Sequence, residues 1–273
     1  MGKFSGIYLV SDLDGTLLDN RTYKISCENI EAIKYFMAEG GFFGFATGRI
    51  ISELRPLDDL IKTNAPSIAC NGTKIYDFTT EKGFMIDSAS EDILPFLGYV
   101  EDNFPDMMIE IVSDDTIYYY RPNSSLKKHQ SITNAEILPI SHYSLIPHPW
   151  VKIAIWNEPD KIRDFANRSD KSLIPPRYNF MYSFEYCCEI STHSASKGTA
   201  LLKAAETIPN VSTIAAIGDN ENDITMLKNA DIAFAPANAI LQVKEAADII
   251  LSADCNHHAV AAAIQELEKS PGK

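Results

Sequence analysis

Two hydrophobic periods alternate along the chain. Ile7, Tyr8, Leu9 and Val10 form an unbroken apolar run that stops at Ser11 and Asp12. A run this short, rich in strand formers, predicts a buried strand. From Ser26 the period changes. Ser26 suits an N-cap and Glu28 a first turn, and Ile30, Ile33, Phe36 and Met37 recur at helical spacing until Gly40-Gly41. A second apolar run, 42–46, ends at Thr47-Gly48-Arg49, with a helix expected from there to about residue 62. Ser67 to Cys70 predicts a third strand, Asn71-Gly72 a turn, and Lys74 to Asp77 the start of a hairpin.

The alternation returns near residue 188. The pattern predicts helices over 197–207, 221–229, 239–247 and 258–268, and strands over 212–217, 231–234 and 248–251. Strands alternating with short helices predict an α/β fold, a Rossmann-like doubly wound parallel sheet. The stretch between differs in texture, with most of the tyrosines and many prolines. Its runs at 114–121 and 151–156 read as strands of a half-exposed sheet, with helices around 90–103 and 159–168 over the other face. The expected organisation is a core of residues 1–83 and 188–273 carrying an inserted α+β module at 84–187. Residues 269–273, K-S-P-G-K, read as a frayed end.

The apolar runs matter because of what stands at their ends. Asp12 and Asp14 follow the first strand and precede Gly15, so fixed negative charge sits at the carboxyl edge of the sheet, where open α/β sheets bind ligands. Thr47-Gly48, Lys197-Gly198 and Gly218-Asp219 through Asp223 stand at similar places. Singly, each has a plain reading: an Asp-Gly turn, a helix cap, a solvated lysine, an acid favouring a helix start. Jointly, acids, a hydroxyl and a lysine at successive strand ends make the set that phosphoryl transfer needs. They offer a nucleophile, metal ligands, a cation for phosphate oxygens and an acid/base for the leaving group. An oxygen-only site of this kind suits Mg2+.

Composition narrows the partners. The 273 residues carry a formal net charge of −13, which argues against non-specific nucleic-acid binding. Five cysteines, odd in number and never spaced C-x-x-C, predict reduced thiols in a cytoplasmic protein, not a disulfide framework or a zinc site. Cys187 and Cys188, neighbours in a strand, are expected on opposite faces. No apolar run approaches the ~18 residues of a membrane span, and the opening four-residue stretch is too short for a signal peptide. Gly6 stands where a myristoylation start needs Ser or Thr.

The motifs resemble, in order, those of a haloacid dehalogenase-superfamily phosphatase of the Cof type. D-L-D-G-T-L at 12–17 is similar to the first, Thr47 in A-T-G-R to the second, Lys197 in S-K-G to the third and G-D-N-E-N-D at 218–223 to the fourth. The resemblance implies a small phosphorylated metabolite as substrate, with no nucleic-acid, membrane or obligate protein partner. It implies Asp12 as nucleophile, Asp14 as acid and then base, and Mg2+ held by Asp12, the Asp14 carbonyl and Asp219. Thr47, the Gly48 amide and Asn222 would hold phosphate oxygens, and Lys197 would neutralise the phosphoryl group and Asp12. Asp223 would orient Lys197 or metal-bound water from behind. The insert would be a cap that selects substrate. Arg49 reads either as a ligand of substrate phosphate or a cap acid, or as a helix-surface ion pair. Asn71 reads as a site residue or a turn residue. A phosphosugar mutase and a catalytically silent phosphate binder stay open as alternatives. Two places depart from the family pattern, A-P-A-N-A at 235–239 and N-H-H-A-V at 256–260. Neither carries the expected chemistry, and the adjacent His257 and His258 read as capping residues rather than ligands.

Overall fold

Ile7–Ser11 (β1) is buried at every position, as a strand must be when both sheet faces are covered. The computed structural model describes residues 2–133 and 135–269; of the expected frayed end, 270–273 lie outside them. Ser26 caps Cys27–Ala38 (α1), accepting from Asn29 N, and Gly40 leaves the helix at a φ of 90°. Then come Phe42–Phe45 (β2), Ile51–Ile61 (α2), Ser67–Ala69 (β3), Lys74–Asp77 (β4) and Lys82–Met85 (β5).

The chain continues with Leu94–Asn103 (α3), Met108–Ser113 (β6), Thr116–Tyr120 (β7), Leu126–Ile132 (α4), Ile137–Pro139 (β8), Trp150–Trp156 (β9), Pro159–Arg168 (α5), Tyr178–Phe184 (β10) and Cys187–Thr192 (β11). It ends with Lys197–Ala205 (α6), Thr213–Ile217 (β12), Ile224–Asn229 (α7), Ile232–Ala235 (β13), Leu241–Ala246 (α8), Ile249–Ile250 (β14) and Ala259–Lys269 (α9).

Two compact units result, Met1–Ile86 with Ala195–Lys273, and Asp87–Ser194. The first holds a five-stranded parallel sheet in the order β14-β13-β12-β1-β2. One face packs Tyr8 and Val10 of β1 with Ala200, Leu201 and Ala204 of α6 and Met226 and Leu227 of α7. Elsewhere α1 packs on α9. β3 departs from the expected alternation. It ends at Ala69, is bridged through Ile68 to Ala46, one residue past β2, and heads a separate antiparallel sheet, β3-β4-β5.

The second unit is a six-stranded sheet, β10-β11-β9-β6-β7-β8, antiparallel except for β7 with β8. Its core joins Phe96, Leu97 and Val100 of α3, Ile162 and Phe165 of α5, and Ile109, Ile111, Ile153, Ile155, Cys188 and Ile190 of the sheet. Two expectations are corrected here. The unit extends to Ser194, beyond the expected 187, because β11 pairs with β9 and β10. Strand β9 is not half-exposed: it lies between β6 and β11, and only Lys152 is not buried. Ala154 and Trp156 pack on the other face with Met108 and Cys187. Cys187 and Cys188 therefore enter cores on opposite faces. Among the described residues no helix is long and apolar enough to cross a membrane.

Candidate active site

From β1 the chain crosses to β2 on one side, and on its return it fills β12, β13 and β14 on the other. The carboxyl ends of β1 and β12 therefore flank the point where strand order reverses, where such sheets leave a ligand crevice. Asp12 and Asp219 occupy those two ends. The ladder carries them there in register: Ser11 pairs with Ile217, and Asp12 N donates to Ile217 O at 2.9 Å.

Lys197 opens α6 behind a capping box in which Ser196 Oγ accepts from Thr199 N at 3.1 Å. Its side chain is buried, and Nζ donates to Asp12 Oδ1 at 2.7 Å and Asp223 Oδ1 at 2.6 Å. The other oxygen of Asp223 accepts from the backbone N–H of Asp219 at 2.9 Å and Asn220 at 3.0 Å. Asp223 thus holds both the lysine and the loop after β12. Thr16 Oγ1 donates to Asp219 Oδ1 at 2.9 Å. Between them Gly15 has a φ of 89°, and a Cβ there would overlap the Asp219 carboxylate, so no other residue fits without displacing it.

Three carboxylates, Asp12, Asp219 and Asp223, bring one oxygen each within 4.8 Å of one another. One ammonium offsets them. Burial and the charge of Asp223 hold the Asp12 carboxyl well above the usual carboxylate range, although Lys197 pulls it down. Burial and Asp223 push Asp219 up to about 6. Burial drags the Lys197 ammonium down, but Asp12 and Asp223 more than reverse this, so it stays charged. The cluster carries surplus negative charge and offers only oxygen donors, which fits a hard divalent cation. Asp223 is already engaged by Lys197 and two amides, leaving Asp12 and Asp219 as the carboxylates available to an ion.

Asp14 stands apart from this cluster. Its half-exposed carboxylate is turned to Arg49, which donates Nε to Oδ2 at 2.9 Å and Nη2 to Oδ1 at 2.5 Å. Arg49, in the loop before α2, thus pairs with a motif residue and not with a helix-surface partner. Thr47, at the end of β2, is buried; its hydroxyl accepts from Arg49 N at 3.2 Å. Asn71, left-handed at φ 54°, donates its backbone N–H to Thr47 O at 2.9 Å and accepts Asn222 Nδ2 at 3.0 Å. The 70–72 turn therefore links the Thr47-Gly48-Arg49 loop to the loop after β12. His257 and His258 take different partners, Asp254 at 2.6 Å and Ser26 at 2.9 Å. Thr16 escaped the sequence reading, though it lies inside the first motif. Asp223, besides holding Lys197, contributes a third converging carboxylate.

The family model for haloacid dehalogenase-like hydrolases matches residues 9–264. The 5-amino-6-(5-phospho-D-ribitylamino)uracil phosphatase YcsE of Bacillus subtilis is 27% identical over 246 residues, covering 88% of this chain and 87% of that protein. A crystal structure of a haloacid dehalogenase-like hydrolase from Bacteroides thetaiotaomicron superposes with a TM-score of 0.83 at 23% identity, covering 97% of this chain and 99% of that one. The subclass IIB sugar phosphatase BT4131 superposes with a TM-score of 0.76 at 21% identity, covering 95% and 98%. Since the match spans nearly the whole sequence and takes in all four strand-end clusters, the chain belongs to the haloacid dehalogenase-like hydrolase family.

Proposed function

We propose that the protein is a Mg2+-dependent phosphatase that hydrolyses small phosphomonoesters, sugar phosphates or related metabolites, through an aspartyl phosphate on Asp12. The observation that carries the reading is the buried Lys197 ammonium clamped between Asp12 and Asp223 beside Asp219. A retired site has no need to keep a buried lysine and three carboxylates in mutual contact. The names of YcsE and BT4131 support the substrate class.

Asp12 attacks phosphorus with a carboxylate oxygen, and the bond from phosphorus to the ester oxygen breaks. Asp14 gives its proton to the departing alkoxide. It then takes one from the water that attacks phosphorus and releases Asp12. Both Asp14 oxygens are held by Arg49, so delivery of the proton requires that pair to loosen. Lys197 offsets charge on Asp12 and the phosphoryl oxygens. Thr47, the Gly48 amide and Asn222, steadied by Asn71, donate to the remaining oxygens. Asp12, Asp219 and the Asp14 carbonyl would hold Mg2+, which when bound supplies the positive charge that lets a carboxylate approach an anionic phosphate. Selection of the substrate falls to the inserted unit. A cytoplasmic setting is consistent with five free cysteines.

The test is phosphate release from a broad ester panel by purified protein with Mg2+. Turnover is expected on some members, and Asp12→Asn should lower it by more than about a thousandfold. Unchanged turnover in that variant, or none by the parent on the whole panel, would overturn the reading. An isomeric sugar phosphate in place of free phosphate would identify a mutase.

A further inference from the structure

The turn 236–240, between β13 and α8, has no part in the chemistry above, yet it grips both halves of the acid cluster. Asn238 Nδ2 donates to Gly15 O at 2.7 Å, and Asn238 Oδ1 accepts from Cys255 N at 3.0 Å. Two residues on, Ile240 N donates to Asp219 O at 3.0 Å. The turn is itself anchored: Ala237 N donates to Ala253 O at 2.9 Å, and Lys244 Nζ to Ala237 O at 2.6 Å.

The β1–β12 ladder holds the two strand ends together only as far as the bond from Asp12 N to Ile217 O. Beyond it both segments leave the sheet. Gly15, at φ 89°, takes the left-handed step by which the chain turns away from the strand. A shift there moves the Asp14 carbonyl before it and the Thr16 hydroxyl after it. Within the turn, Thr16 N, Leu17 N and Leu18 N all donate to Leu13 O, and Thr16 Oγ1 ties it to Asp219; the hydrogen bond from Asn238 holds the Gly15 carbonyl and so fixes the whole turn against the 236–240 segment.

We infer that Asn238 is a positioning residue for the divalent cation: through the Gly15 carbonyl it sets the Asp12–Thr16 turn against Asp219. The inference rests on the reading of Asp12 and Asp219 as the cation's carboxylates. A group hydrogen-bonded to a metal ligand characteristically changes affinity by about 10–100-fold; Asn238 acts one peptide further out, through the Gly15 carbonyl, so the lower end of that range is expected. The donor, not the bulk, is what matters, so Asn238→Leu, close in size, should behave as Asn238→Ala does.

The experiment measures Mn2+ binding by titration calorimetry on the purified full chain without substrate, alongside hydrolysis of a model phosphate ester against Mg2+ concentration. Asn238→Ala and Asn238→Leu should each bind Mn2+ about tenfold or more weakly, with kcat at saturating Mg2+ within about threefold of the parent. Lys244→Ala, which loosens the same turn but keeps Asn238 and its bond to Gly15, should weaken binding less than either Asn238 variant does. Unchanged Mn2+ affinity in both Asn238 variants would overturn the inference. So would a loss of kcat that saturating Mg2+ does not restore, or an equal weakening in Lys244→Ala. A parent that binds no Mn2+ overturns the reading of the acid cluster itself. A parent that binds it while the variants match leaves that reading standing and removes only Asn238.

Discussion

Lys197 shows how much the fold spends at one residue. A fully buried ammonium is unfavourable unless its charge is met at close range, and here two carboxylates meet it at 2.7 and 2.6 Å. The dependence is mutual. In Lys197→Met, Asp12, Asp219 and Asp223 face one another with no cation between them. Breaking a buried pair by removing one partner costs about 3–5 kcal/mol, and urea unfolding at pH 7 should show a loss of that order. Mg2+ should restore part of it, since a ligand of the folded state stabilises it by mass action, while turnover stays abolished. A Lys197→Met protein that unfolds at the parent's urea midpoint, with or without Mg2+, would mean that these carboxylates do not repel as their spacing requires.

Among the elements, α6 couples stability to chemistry, because Lys197 is its first residue and Ser196 its cap. Ser196→Ala removes the acceptor for Thr199 N, a loss of about 1 kcal/mol. Because the same cap fixes where Lys197 emerges, kcat should fall as well, by several-fold, with little change in KM. Stability lost without any change in kcat would show that the buried ion pairs alone hold Lys197. The Ser26 cap was legible in the sequence, as were the helical period of α1, the buried run of β1 and the motifs at strand ends, because each is a local pattern. What stayed hidden depends on pairing between distant segments. The Asn71-Gly72 turn and the hairpin at 74–77 were local signals, but nothing in Ser67–Ala69 announces that it leaves the parallel sheet, and nothing in Cys187–Thr192 announces that it pairs with β9. At the site, the order of acids along the chain did not reveal that Asp14 turns to Arg49 while Asp223 joins Asp12 and Asp219. Nor could the A-P-A-N-A turn, unusual for the family, be linked to Gly15, over two hundred residues earlier.

At the scale of the molecule, the two units close separate cores, and every residue assigned to the chemistry lies in the first, Met1–Ile86 with Ala195–Lys273. The second is one continuous segment. Its two ends are tied to each other, since Asp87 accepts from Ser194 Oγ. A segment with its own apolar core and adjoining ends meets the conditions for folding alone. Residues 87–194, expressed by themselves, should give a cooperative urea transition and a dispersed amide spectrum. The converse protein, with 87–194 replaced by a short Gly/Ser linker, should still bind Mn2+, because the ladder of β1 with β12 and the turn at Asn238 both remain. It should hydrolyse a small activated phosphate ester while discriminating less among metabolite esters than the parent does. Loss of Mn2+ binding in a linker protein that still unfolds cooperatively would show that the insert shapes the acid cluster. Undiminished discrimination would mean that the residues choosing the substrate lie in the first unit, beside the carboxylates that act on it.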